Sequence, residues 1–135
     1  DPTRSHFLGG ILGRMEKARL AGDSTFAVWG SGRPVRDVVY VVDVARALMH
    51  LAEQPPGLYN VSDDEEHTIG VYAAYCQDAL GYNGTIVPTT SLPDGQSEKY
   101  LDVSKIAATS WAPKTHLATG LQRTIEWMRG GSTVR

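Results

Sequence analysis

The stretch WGSGRPVRD, residues 29–37, puts one indole ring and two guanidinium groups around a Gly-Ser-Gly turn. Arginine's planar fork donates paired, charge-assisted hydrogen bonds, so it suits a phosphate as well as a carboxylate. Arg36 therefore has two readings, a phosphate contact or an ion pair with Asp37 or Asp43. Arg33, inside the turn, is expected to face water. Elsewhere the residues that could do chemistry are sparse. Residues 63–67, DDEEH, carry oxygen ligands and an imidazole, but such a run is read as a solvated loop rather than a metal site. Cys76 is expected to be a small buried apolar residue.

The elements that must position these groups alternate between helix and strand. Apolar residues Phe7, Leu8, Ile11, Leu12, Met15 and Leu20 recur at helical spacing and predict a helix over 5–20, with Ser5 as its cap and Gly22 at its end. Gly9, Gly10 and Gly13 weaken it. Residues 25–30 read as a strand ending at the turn, and the β-branched run 36–42 as a second strand. Asp43 stands where an N-cap belongs, ahead of a helix over 44–54 whose inner face is Val44, Leu48 and Leu51; Pro55 and Pro56 stop it. A brief strand is expected over 57–62. Thr68 caps a helix that ends at Gly81, and residues 84–90 form another strand before the loop 91–100. Asp102 caps a short helix ending near Thr109. An amphipathic helix over 117–130 turns Leu117, Leu121, Ile125 and Met128 inward.

Composition narrows the function classes. The 135 residues are 41% hydrophobic and 21% charged, which fits one folded domain spanning 1–135. Thirteen basic and 15 acidic side chains leave a formal charge of -2, so no global field gathers nucleic acid or an anionic membrane, and any anion must be held by a local cluster. No run reaches the roughly 18 apolar residues of a membrane span. A single cysteine suits a reducing, cytoplasmic setting. The opening DPTRSH, without an initiator methionine, is expected to mark a fragment or a trimmed chain.

In order along the chain stand SHxLxxxLxR, WGSGxPxRD, VxDVAxAxxHL, YNV, TI, GYxGxI, PDGxxxKxLDVSKI and GLxxTIEW. Together, from Ser5 to about Trp127, they resemble the carboxyl-terminal part of the GDP-L-fucose synthases, which are extended short-chain dehydrogenases acting on nucleotide sugars. The resemblance implies an α/β fold, a small mixed α/β substrate-binding lobe lacking most of the Rossmann sheet. It implies a family activity in two steps, epimerisation and then NADPH-dependent reduction of a GDP-linked 4-keto-6-deoxy sugar. It further implies His6 as the catalytic acid in epimerisation, and Arg14, Trp29, Arg36 and Lys99 as substrate-binding residues. Arg36 and Lys99 would contact the diphosphate, and Trp29 would lie beside the base, although a partly buried core position is its other reading. His6 and Arg14, eight residues apart, should share one side of the first helix.

The family's cofactor machinery has no counterpart in these residues. A Gly-rich fingerprint between a first strand and a helix is missing, and none of Lys17, Lys99, Lys105 and Lys114 has a tyrosine four positions before it. No cofactor is therefore expected on this chain, NADP being expected only for the full-length family, and the chain alone is expected to transfer no hydride. Glu98, where the family has a basic residue, is expected to weaken anion binding at Lys99. The strand at 57–62, without the sheet it would join, should either pair with a second copy or repack locally. The expected partners are thus a nucleotide sugar, GDP-linked, together with a homo-oligomer or a Rossmann partner. Two alternatives stand beside this reading: the substrate lobe of another NDP-sugar epimerase or dehydratase, and a stand-alone binding or assembly module without chemistry.

Overall fold

A computed structural model describes residues 6–130. The elements run α1 (Phe7–Ala21), β1 (Thr25–Trp29), β2 (Val35–Asp37), α2 (Val41–Leu51), β3 (Glu66–Thr68), α3 (Ile69–Leu80), β4 (Thr85–Thr89), β5 (Glu98–Lys99), α4 (Ser104–Ala107) and α5 (Leu117–Met128). Two units of the same design lie side by side. Each is a helix closed by a left-handed glycine, Gly22 after α1 and Gly81 after α3, and each then feeds a strand. Those strands, β1 and β4, pair in parallel from Thr25↔Thr85 to Trp29↔Thr89. Alternate residues Phe26 and Val28 point inward against Ile11, Leu12 and Met15 of α1, Ala73, Cys76 and Leu80 of α3, and Leu121 and Ile125 of α5. This is the main core, and it is the small mixed α/β arrangement that the sequence implies.

A second sheet has the order β3-β2-β5. Strand β2 runs antiparallel to β3, with Arg36 opposite His67, and parallel to β5, with Arg36 opposite Lys99. The fully buried Tyr72 joins this sheet to the main core. Its hydroxyl donates to the Arg36 carbonyl at 3.1 Å, and its ring meets the edges of Phe7 and His67. A smaller cluster of Ala47, Val103 and Ile106, flanked by Tyr59, Val61 and Trp111, packs α2 against α4.

Several sequence expectations need correction. The β-branched run 36–42 is strand only to Asp37; Tyr40 takes the N-cap conformation, and Val41 and Val42 are already helical. Neither β3 nor β5 pairs with β2 beyond Asp37, so the β-branched run finds no partner there and the helix starts early. Asp43 is consequently not a cap but a helical residue, 1% exposed. Its Oδ2 accepts from the backbone N–H of Lys114 (3.2 Å) and Thr115 (2.8 Å), and its Oδ1 from Arg46 (2.8 Å). Burial alone would raise its pKa, but those hydrogen bonds prevail and hold the carboxyl below its ordinary range. The inner face of α2 is Asp43 and Ala47, whereas Leu48 is exposed.

Residues 57–62 form no strand. Asn60 Nδ2 donates to the Asp102 carbonyl at 2.9 Å and the Tyr59 hydroxyl to that of Pro55, so this segment is tied to the chain just before α4 and to its own lead-in. The 63–67 run is not all solvated loop, because Glu66 and His67 form β3. Met128 is exposed rather than inward. Helix α1 starts at Phe7 with His6 at its N-cap, and the expected cap Ser5 lies outside the described residues. Thr68 does cap α3, accepting from Val71 N at 3.2 Å, and Cys76 is buried, with burial pushing its thiol up to about 12.

Glu16 ties the start of the chain to its end: its carboxylate accepts from Arg19 at 2.6 Å and from Arg129 of the α5 terminus at 2.9 Å. Arg19 first, then Arg129, holds this carboxyl down to about 2. A depressed folded pKa stabilises above the unfolded value and is lost as pH falls toward the folded one. Glu16→Gln should therefore cost about 1 kcal/mol at neutral pH, with the difference from the parent fading as pH drops from about 4.5 to about 2, read from urea melts across pH. Asp43→Ala, which strands two backbone donors, should cost about 2–3 kcal/mol in the same melts, and Asp43→Asn clearly less.

Candidate functional site

Residues 25–37 and 85–99 run parallel to each other at both ends. Trp29 pairs with Thr89 and Val35 with Glu98, so residues 30–34 on one segment face the longer 90–97 on the other. The longer connection folds back over the Gly-Ser-Gly turn. Asp94 accepts from the Ser31 backbone N–H at 2.7 Å and from its hydroxyl at 2.6 Å. Gly30 has φ +73, a left-handed conformation that favours glycine, and a Cβ there would push Asp94 Oδ1 aside.

The structure sets Arg36 and Lys99 side by side as register partners on β2 and β5, which turns both toward one face. The guanidinium of Arg36 donates to the carbonyls of Val35 and Gln96, the latter at 2.9 Å. It forms no ion pair with Asp37 or Asp43: Asp37 accepts from Leu101 N, and Asp43 holds Arg46. With five donors on the fork and two of them engaged, Arg36 keeps N–H groups for a ligand. On its other side His67 is packed against Tyr72 and Tyr75, with Nε2 3.7 Å from Glu65. The β2–β5 register thus presents Arg36 and Lys99 together on this face. Glu98 precedes Lys99 on the same strand, so the pleat sends the two side chains to opposite faces. The repulsion expected from Glu98 is correspondingly reduced.

Arg14 and Trp29 meet as a second pair. The Arg14 Cζ lies 4.6 Å from the Trp29 ring centroid and 5.3 Å from that of Phe26. Its Nε donates to Gly10 O (3.2 Å) and its Nη1 to Ala27 O (3.3 Å). Burial lowers the pKa of this guanidinium, which remains charged. Trp29 is not the partly buried core residue its other reading allowed: it is 61% exposed, with the Arg14 guanidinium over its ring. His6 occupies the N-cap position of α1 without a side-chain cap bond and is exposed, about 12 Å of helix rise from Arg14, so the structure does not bring these two together.

None of the five predicted residues lines an apolar groove of about 450 Å³ formed by Leu8, Leu12, Tyr40, Leu117, Leu121 and Trp127 among others. The candidate site is an open face. Sequence reasoning missed Ser31, Asp94 and the Gln96 carbonyl. The Pro-Asp-Gly turn signal was visible there, but the partner of Asp94 lies 63 residues away.

The fold is that of the extended short-chain dehydrogenases acting on nucleotide sugars. A GDP-L-fucose synthetase from Naegleria fowleri, itself also solved bound to NADP, superposes with a TM-score of 0.86 at 27% identity, over 96% of this chain and 41% of that one. The UDP-glucose 4-epimerase of Thermotoga maritima superposes at 0.77 and 27% identity, over 96% and 41%. The sequence model of the NAD dependent epimerase/dehydratase family matches residues 1–62, just under half of the chain. The chain is 34% identical to GDP-L-fucose synthase 1 of Arabidopsis thaliana, over 93% of its own length and 40% of the relative's. It thus spans about two-fifths of the relatives it matches.

Members of that family bind NADP, and the described residues of this chain hold a Gly-Ser-Gly turn to set against a dinucleotide's pyrophosphate seat. Their Gly-Ser-Gly turn leads into β2 and not into the first turn of a helix, so it makes no pyrophosphate seat of that kind. No helix here is long and apolar enough to cross a membrane.

Arg14→Lys would lose the stacked plane and at least one of the two carbonyl contacts. It should lower stability by about 1 kcal/mol in a urea melt, and the emission of Trp29 should shift as its packed face opens.

Proposed function

We propose that this chain is the nucleotide-sugar-binding lobe of a GDP-L-fucose-synthase-like enzyme. The observation that carries the reading is the β2–β5 register, which puts Arg36 beside Lys99 with donors free on an open face. A diphosphate has oxygens for both, a paired contact from the arginine fork and a point charge from lysine. Trp29 offers its uncovered face to the base, and Arg14 beside it fixes the indole plane and adds a cation to it. His6, exposed at the α1 N-cap, would act on the sugar as the proton donor in epimerisation.

On this reading hydride transfer belongs to a cofactor-binding part that these residues do not form, and the lobe alone is inactive. The reading also carries a cytoplasmic setting, in keeping with the buried single cysteine. It includes a partner against the exposed Val41, Leu48 and Met49 of α2, either a second copy or that cofactor-binding part. A different NDP-linked sugar is the second reading, supported by the equal 27% identity to the UDP-glucose 4-epimerase structure. A binding module without chemistry is the third.

Titration of the chain with GDP, UDP and dTDP, followed by tryptophan fluorescence, separates them. Saturable quenching with GDP strongest is expected, weakened about tenfold or more in Arg36→Ala. Preference for UDP or dTDP would move the second reading forward. Flat traces with all three nucleotides would sink the binding-lobe reading.

A further inference from the structure

We propose that Asp94 is the positioning residue of the anion site, acting through its two hydrogen bonds to Ser31. This inference rests on the nucleotide-binding reading above and adds to it the device that sets the site's geometry.

The two segments that carry Arg36 and Lys99 are in register at Trp29↔Thr89 and again at Val35↔Glu98, but between those points one is longer than the other. Nothing in strand pairing alone fixes where the longer one re-enters. Asp94 does, near the middle of 90–97, by accepting both the backbone N–H and the hydroxyl of Ser31. From there the chain reaches Arg36 within two residues: the Gln96 carbonyl accepts from its guanidinium at 2.9 Å, and the Ser97 carbonyl accepts from Val35 N at 2.7 Å. Lys99 then falls opposite Arg36. A slip of one residue would move Lys99 to the far face of β5 and take the Gln96 carbonyl off Arg36.

Four features of the latch fit this role. Both carboxylate oxygens are engaged by one residue, so it fixes orientation as well as distance. The Ser31 hydroxyl also accepts from the Arg33 N–H at 3.1 Å, extending the hold across the turn. Gly30 leaves the space in which Asp94 Oδ1 lies, and any side chain there would displace it. The Ser31 bonds also keep the carboxyl below its ordinary pKa, so the acceptor stays ionised at neutral pH.

The test compares the parent chain with Asp94→Ala, Asp94→Asn, Ser31→Ala and the Asp94→Ala/Ser31→Ala pair, using two readouts. Amide hydrogen exchange of residues 95–101 and of Val35 reports the register without any ligand. GDP titration reports the site. Asp94→Ala should speed exchange there while leaving the β1 and β4 amides protected, and should weaken GDP about tenfold. Asp94→Asn, which keeps an acceptor for the Ser31 N–H, should restore most of both. Ser31→Ala should show a smaller loss that is not additive with Asp94→Ala. Unchanged exchange and unchanged GDP affinity in Asp94→Ala would overturn the proposal, as would faster exchange with full affinity. If the parent chain itself ignores GDP, the nucleotide reading falls, and the exchange data alone decide whether Asp94 sets the register.

Discussion

Parallel pairing of residues 25–37 with residues 85–99 is the constraint on which the rest of this structure depends. It places β1 against β4 to close the main core, and β2 against β5 to build the candidate site. Parallel strands cannot be joined by a tight hairpin, so the chain between them must travel. Here it travels through α2, β3 and α3. Helix α3 returns to the core beneath β1 and β4, and β3 closes the open side of β2. Tyr72 reports how closely the two sheets are coupled, since one buried phenol touches α1 and β3 and bonds the backbone of β2 at Arg36. Burial pushes that phenol's pKa upward, which keeps its proton in place as the donor.

The site uses charge locally. With a formal charge of -2, the chain as a whole does not draw anions toward itself, and many of its basic groups are committed elsewhere. Arg19 and Arg129 hold Glu16, Arg46 holds Asp43, Lys105 bonds the Leu58 carbonyl, and Arg14 is braced against carbonyls and aromatic rings. Arg36 and Lys99 are left presenting positive charge together on one strand face. Such a pair discriminates by shape, because two cations at strand spacing match an extended polyanion better than a lone carboxylate.

Helices were legible wherever a local signal ended them. Gly22, Gly81 and Thr68 act within a turn of their own position, so α1 and α3 read correctly from residue types. The Arg36 and Lys99 pairing was not available from spacing, since 63 residues separate them and strands of two or three residues carry no periodicity. The resemblance supplied both positions, and the structure supplied their adjacency. Asp43 misled because aspartate before an apolar run has the local form of a cap. Its actual partners, the amides of Lys114 and Thr115, are set by tertiary packing. Residues 57–62 have strand composition but no neighbouring strand among the described residues, and composition cannot report a neighbour. Trp29 was misjudged for a related reason: burial depends on what covers a ring, and Arg14 covers only one side of it.

The unequal connections between the two parallel segments also bear on how such a lobe can diverge. Insertions and deletions are tolerated where a loop's ends are fixed independently of its length, because added residues cost little closure entropy. Here the fixed ends are the Trp29↔Thr89 pair and the Asp94 contact, and between them Thr90, Ser91, Leu92 and Pro93 carry no part of either register. The rim of the face could therefore lengthen or shorten at 90–93 and meet sugars of different size, while Arg36 and Lys99 keep their spacing for the phosphates.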